Sequence, residues 1–238
     1  MRLGRRMVLF SAAFGIVTFV GCESGISSDS AELETADQKA SYGIGLNIGS
    51  QLAETKDRLD RPAFLRGVED AIQGNESAVP SDELQTVLQA FAEEIQSAAQ
   101  QDFDRQAAEN SVAGNAYLAD NGSREGVVTT ESGLQYEVLR QGDGPMPGAE
   151  DQVRLHYRGT LIDDTEFDSS YERGEPAEFG VGGVIPGFSE ALKIMSVGSH
   201  FRVVIPSDIG YGPQGTGGPI GPNATLIFEI ELLEIISP

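Results

Sequence analysis

Two hydrophobic periods divide the chain. In the first half, Ala36, Ala40, Ile44, Ile48 and Leu52 recur at every fourth residue, the spacing of a helix with one apolar face. Gly43, Gly45 and Gly49 fall inside this helix at a cost of up to about 1 kcal/mol each against Ala, and close approach of another helix is the usual compensation. A second helix fits Pro62 to Gln73: Pro62 suits a first turn, Phe64, Val68 and Ile72 form a stripe, and Gly74 suits the C-terminal cap. A third starts at Pro80-Ser81-Asp82-Glu83, where a capping hydroxyl precedes acids favoured by the helix dipole, and Leu84, Leu88, Phe91 and Ile95 keep a three-four spacing. Beyond Ile95 the stripe thins to Ala99, Phe103 and Ala107, and no proline or glycine intervenes before Gly114. Stopped by Asn121-Gly122, such a helix is about 58 Å long at 1.5 Å per residue. Its second half predicts a solvated rod projecting from a small all-α domain. So small a core favours pairing with a second copy into a homodimer; a monomeric three-helix domain with a floppy connector is the alternative.

From about Val127 the period changes to two. Val153, Leu155, Tyr157, Gly159 and Leu161 alternate with Arg154, His156, Arg158 and Thr160, and Leu226, Phe228, Ile230 and Leu232 alternate with Ile227, Glu229 and Glu231. Phe201, Val203 and Ile205 make a third strand, and Leu134 to Leu139 a fourth. Pro186-Gly187 opens a segment in which Phe188, Ala191, Leu192 and Met195 keep helical spacing. The expected class is therefore α+β, a twisted antiparallel sheet wrapped on one short helix and preceded by helices. The expected organisation is a signal peptide over 1–21, a tether over 22–35, a helical domain with the long connecting helix over 36–122, and a sheet domain over 123–238.

The N-terminus adds a destination. Residues 1–7 are basic and residues 8–21 form an uncharged apolar run of signal-peptide length, which predicts export. Cys22 follows directly, where a bacterial lipoprotein signal places its acylated cysteine, although Phe19 stands where such signals carry Leu. The expectation is a lipid-anchored protein on the periplasmic side of a bacterial membrane or on the cell surface, the outer membrane favoured. An ordinary cleaved signal that leaves one unpaired thiol is the alternative, and Arg5-Arg6 is only a weak twin-arginine hint. Residues 23–35 are small, polar and acidic, as a flexible tether requires.

Charge and composition exclude several chemistries. The net charge of -21 becomes -24 without residues 1–21, with 13 basic against 37 acidic residues, and such a surface repels nucleic acid. His156 and His200 are the only histidines, and neither has Cys or carboxylate at ligand spacing, so no metal site is expected. A Ser-His-Asp triad has only these two strand histidines to draw on, and no G-x-S-x-G elbow occurs. The glycines of 215–218 open no helix and form no phosphate cradle.

Five ordered blocks stand out in the second half: HYRGTLIDDTEFDSS (156–170), VIPGFSEAL (184–192), MSVGS (195–199), IPSDIGYG (205–212) and GGPIGPNATLIFEIELL (217–233). Through them the span from about Gly133 to Ile236 resembles the FKBP domain of peptidyl-prolyl cis-trans isomerases. The helical half, with YGIGLNIGSQL (42–52), is similar to the dimerisation region of the macrophage-infectivity-potentiator class. The resemblance implies an apolar pocket walled by Tyr157, Phe167, Val184, Ile185, Phe188, Ile220 and Phe228, with Asp168 and Tyr211 at its rim and Arg173 paired to Asp168. It implies that the Ile185 N–H and the Tyr211 hydroxyl hold substrate carbonyls, that Asp168 acts through its field, and that the chemistry needs no cofactor. The implied partners are proline-containing unfolded or exported polypeptides. A dimeric holdase or surface-binding protein with incidental isomerase activity is the rival reading. Phe188 stands where many members of the family carry Trp, Ala177 where some carry a large aromatic, and Gly210 where Ala commonly precedes the tyrosine. These departures bear on the residue preferred before proline and on affinity for macrolides of the tacrolimus and rapamycin type.

Overall fold

The computed structural model describes residues 31–236, so the apolar leader, Cys22 and most of the tether lie outside the described residues. The chain divides into two compact units, Met1–Ser77 and Ala78–Pro238. In the first, α1 (Ala36–Gln51) starts from Thr35, whose hydroxyl accepts from the Gln38 N–H while the Gln38 side chain accepts from the Thr35 N–H. These reciprocal bonds satisfy donors that the helix itself leaves open. Helix α2 (Arg61–Gln73) starts from Asp60, whose carboxylate accepts from the Ala63 N–H at 2.9 Å, and ends at Gly74 with φ +70°. Tyr42, Ile44, Leu46 and Ile48 of α1 and Leu65 and Ile72 of α2 are exposed. At Gly43, Gly45 and Gly49 a Cβ would meet open space, so the close approach expected there is not made among the described residues. Among the described residues no helix is long and apolar enough to cross a membrane.

The second unit joins the long helix α3 (Ser81–Gly122) to a seven-stranded antiparallel sheet: β1 (Val127–Thr129), β2 (Gln135–Arg140), β3 (Gln152–Leu161), β4 (Glu166–Ser169), β5 (Ala177–Gly180), β6 (His200–Ile205) and β7 (Leu226–Ile236). The strand order is β1-β2-β6-β7-β3-β4, and β5 pairs with the other end of β3. The strand expected from Leu134 starts one residue later, at Gln135, and β7 runs four residues past Leu232 to Ile236. Two short helices complete the unit, α4 (Ser170–Arg173) and α5 (Pro186–Ile194). Helix α5 lies close against β6 because Gly187 allows it: a Cβ there would stand 2.5 Å from Cγ2 of Ile205. Phe188, Ala191 and Leu192 of α5 and the following Met195 join Leu134, Val153, Leu155, Phe201, Val203, Ile230 and Leu232 in one core. Each large aliphatic fully buried there contributes about 1.5–3 kcal/mol.

The second half of α3 is not a solvated rod. Phe103, Ala107, Asn110, Gly114, Tyr117, Leu118 and Asn121 form a three-four stripe that is partly or fully buried. Gly114 comes so near the sheet unit that a Cβ would stand 2.4 Å from Thr225 Oγ1. Amides and a tyrosine complete the contact: Asn121 donates to Gln135 at 2.8 Å, Gln135 to the Leu118 carbonyl at 2.8 Å, and Arg202 to the Tyr117 hydroxyl at 2.7 Å. Val204 and Ile227, which share the face of Arg202, are buried although they lie outside the main core. The stripe escaped a search for aliphatic periodicity because Leu118 is its only large aliphatic, the rest being aromatics, small residues and paired amides.

Gly114→Ala tests this docking. At an exposed helix position the change stabilises by about 1 kcal/mol, whereas overpacking against Thr225 costs about 1–3 kcal/mol. Urea denaturation should show a net loss; a net gain would contradict the close approach.

Candidate active site

The register of β3 on β7 sets Tyr157 opposite Ile230 and Gly159 opposite Phe228, so Tyr157 and Phe228 face the same side, one pair apart. Helix α5 brings Phe188 beneath them, β4 adds Phe167, and β5 adds Phe179. The rings meet edge to face, with centroids 6.2 Å apart for Tyr157 and Phe188, 5.1 Å for Phe188 and Phe228, and 5.5 Å for Phe167 and Phe228. Such contacts are worth about 0.5–1.5 kcal/mol each beyond area burial, and they fix the rings as walls. Gly159 makes room for them, since a Cβ there would stand 2.6 Å from Phe167 and 2.8 Å from Phe228.

Above these rings lies a pocket of about 460 Å³, completed by Gly183, Val184, Ile185, Tyr211, Pro219 and Ile220. Tyr157, Phe228 and Ile220 are each 5% exposed, while Tyr211 is 40% exposed at the mouth. Ile185 occupies the N-cap of α5, where the extended backbone turns into the helix, and among the described residues no bond to its N–H is made. Nine of the ten residues expected at the site line this one pocket: Tyr157, Phe167, Asp168, Val184, Ile185, Phe188, Tyr211, Ile220 and Phe228.

Arg173 is the exception. It stands outside the pocket lining and belongs to a neighbouring depression with Glu166 and Glu172, so its place is behind the wall, on Asp168. Ser169 caps α4 and Gly174, at φ +78°, ends it, which aims Arg173 back at β4. Arg173 Nη1 donates to Asp168 Oδ1, Tyr157 donates its hydroxyl to Asp168 Oδ2, and Arg173 Nη2 donates to the Tyr157 hydroxyl at 3.0 Å. The guanidinium also lies 5.4 Å from the Tyr157 ring centroid. The three side chains form a closed triangle at the edge of the aromatic walls.

Phe179, Pro219 and Gly183 line the pocket without having been expected there. Phe179 shows in the sequence as an inward strand residue, which signals burial and not a cavity wall. Pro219 adjoins Ile220 in the same block. His156 is turned away, with Nδ1 2.9 Å from Ser170 Oγ and its ring stacked on Tyr171.

Comparison with known proteins agrees with this geometry. A family model described as FKBP-type peptidyl-prolyl cis-trans isomerase matches residues 144–233, and one described as the domain amino terminal to FKBP-type peptidyl-prolyl isomerase matches residues 37–138. The FKBP-type 22 kDa peptidyl-prolyl cis-trans isomerase of Escherichia coli is 48% identical over 204 residues, covering 85% of this chain and 97% of that protein. The chain belongs to the FKBP-type peptidyl-prolyl cis-trans isomerases. Outer membrane protein MIP of Legionella longbeachae is 39% identical over 209 residues, covering 88% of this chain and 90% of that one. The crystal structure of FkpA from Escherichia coli matches with a TM-score of 0.66 at 37% identity, covering 87% of this chain and 99% of that one.

In this FKBP-type isomerase the triangle sets protonation states. Burial pushes the Asp168 carboxyl up, but the hydrogen bonds from Tyr157 and Arg173 and the charge of Arg173 outweigh it and hold the group below the ordinary aspartate range. Burial, then donation to Asp168, raises the Tyr157 phenol, so it remains protonated. A carboxyl depressed in the folded state stabilises the fold above its unfolded value of about 3.9, and this stability is lost as pH falls through the folded value. The difference in unfolding free energy between the native chain and Asp168→Asn should therefore stay level from about pH 7 to 5 and shrink below about pH 4. Denaturant titrations across that range measure it. A difference that already falls between about pH 7 and 6 would contradict a depressed carboxyl.

Proposed function

We propose that the aromatic pocket is where this enzyme accelerates X-Pro isomerisation, and that its substrates are proline-containing segments of exported polypeptides during folding. Rotation about the imide bond faces a barrier of about 18–20 kcal/mol because the planar amide is resonance-stabilised. The twisted transition state gives up that resonance together with much of the charge separation, so it is less polar than either planar state. A recess walled by Tyr157, Phe167, Phe179, Phe188 and Phe228 removes water from the imide and favours the less polar form. The Ile185 N–H and the Tyr211 hydroxyl hold the flanking carbonyls. Asp168, fixed by Tyr157 and Arg173, contributes its field at the rim and forms no covalent bond. The observation that carries this reading is the convergence of nine sequence-identified residues on one aromatic-walled pocket.

The location is the cell envelope. The basic and apolar residues before Cys22 support export with a lipid anchor on that cysteine, and the name of the Legionella relative, an outer membrane protein, agrees. A homodimer forms through the helical half, where the exposed apolar side chains of α1 and the open space at its glycines leave a face for a second copy.

A protease-coupled peptide assay and proline-limited refolding test the site. Tyr211→Phe removes one neutral hydrogen bond and should lower kcat/KM ~2- to 10-fold, while Asp168→Ala also unpairs Arg173 and should lower it ~10- to 100-fold. Both variants should unfold cooperatively. Native activity in either variant would reject the assignment. Light scattering on the chain beginning at Glu23 should give twice the monomer mass; a monomer would remove the paired arrangement.

A further inference from the structure

Between Gly212 and Thr225 the chain forms one part of the pocket wall. Pro219 and Ile220 face the pocket, and Pro219 also lines a second cleft of about 290 Å³ behind the wall. The far side of that cleft is Gln106 and Asn110 of α3. Ile220 and Ala224 root the segment in the core, but Pro219, between the two cavities, is not held by packing alone, and hydrogen bonds help to decide where it stands. Within the loop, the Thr216 N–H donates to Ile220 O at 2.9 Å and the Asn223 N–H to Gly212 O at 3.0 Å. These bonds fix the loop's shape.

Its position is set by two amides that cross to the helix. Asn110 Nδ2 donates to the Pro222 carbonyl at 2.8 Å, and Asn223 Nδ2 donates to the Ala107 carbonyl at 3.2 Å. Asn223 adopts φ +54°, a left-handed conformation that Asn tolerates better than most residues. That backbone turn is what aims its side chain at α3. Gly221 presses against Gln106 and Asn110, since a Cβ there would stand 3.0 Å from Gln106 Nε2 and 3.2 Å from Asn110 Nδ2. Both backbone carbonyls that receive these bonds lie opposite a specific amide, one on the loop and one on the helix. A second clamp, Arg202 with Tyr117 and Asn121, holds the C-terminal end of α3 to the sheet through residues that do not line the pocket.

We propose that α3 is part of the enzyme and not only its connector: Asn110 and Asn223 are positioning residues that latch the 212–225 loop to the helix and thereby set Pro219 and Ile220 at the substrate-binding wall. The inference rests on the pocket being the isomerase site. Because Pro219 and Ile220 touch planar and twisted substrate alike, loosening the latch weakens binding in both states, so it acts on KM more than on kcat.

Steady-state kinetics on the full chain separate the latch from mere structural support. Asn110→Asp keeps the shape but removes the donor; Asn223→Gly keeps the left-handed backbone and removes the side chain. Each should raise KM ~3- to 10-fold with kcat within about twofold of native. Because both act on one loop, the double variant should exceed the larger single effect only slightly. Arg202→Gln, at the other clamp, should lower Tm by a few degrees with KM unchanged. Native KM in both latch variants, or an equal KM rise in Arg202→Gln, overturns the proposal. If Asn110→Asp fails to fold, Asn223→Gly decides alone. Should Tyr211→Phe and Asp168→Ala also prove silent, the pocket assignment itself has failed; activity lost in those two but native in the latch variants sinks only the latch.

Discussion

A strand sends successive side chains to opposite faces, so the pairing of β3 with β7 commits Tyr157 and Phe228 to one side together or not at all. A slip of one residue would turn Tyr157 out to solvent and bring His156 or Arg158 in, and no pocket would remain. Everything else at the site is arranged around that register. Gly159 has no side chain because two aromatic rings occupy the space, and Gly187 has none because α5 must come close enough for Phe188 to close the floor. The Asp168 triangle stands at the edge of the same strand pair, drawing Tyr157 from β3, Asp168 from β4 and Arg173 from α4.

This arrangement suits a reaction in which no covalent bond is made or broken. The walls are apolar, and the polar groups are few and stand at the rim. Asp168 is held ionised by a partner behind the wall, which keeps a fixed negative field beside the recess without placing a free base in it.

Much of this could be read from residue spacing, and the parts that could not have a common cause. Strands β3, β6 and β7 showed through their period of two, α1 through apolar residues at every fourth position, and α2 through Pro62, its apolar stripe and Gly74. The docking of α3 was hidden because, between Phe103 and Tyr117, its contact stripe runs through Ala107, Asn110 and Gly114 and it ends on Asn121, residues that read as solvated when only apolar character is counted. An amide satisfied by a carbonyl across an interface looks the same in sequence as one satisfied by water. Phe179 and Pro219 were obscured differently: alternation says that a side chain points inward, but it cannot distinguish a packed core from the wall of a cavity. Arg173 was tied to Asp168 correctly by the resemblance, and only the three-dimensional path of α4 places it behind the wall.

Exchange spectroscopy on an isotopically labelled proline peptide tests the central claim most directly, because it observes the turning bond and the protein surface in one sample. The account predicts cis-trans exchange that rises in proportion to the amount of enzyme, with peptide-induced shifts gathered at Tyr157, Ile185, Phe188, Tyr211, Ile220 and Phe228. Exchange at the uncatalysed rate, or shifts gathered on a different face of the sheet unit, would contradict it.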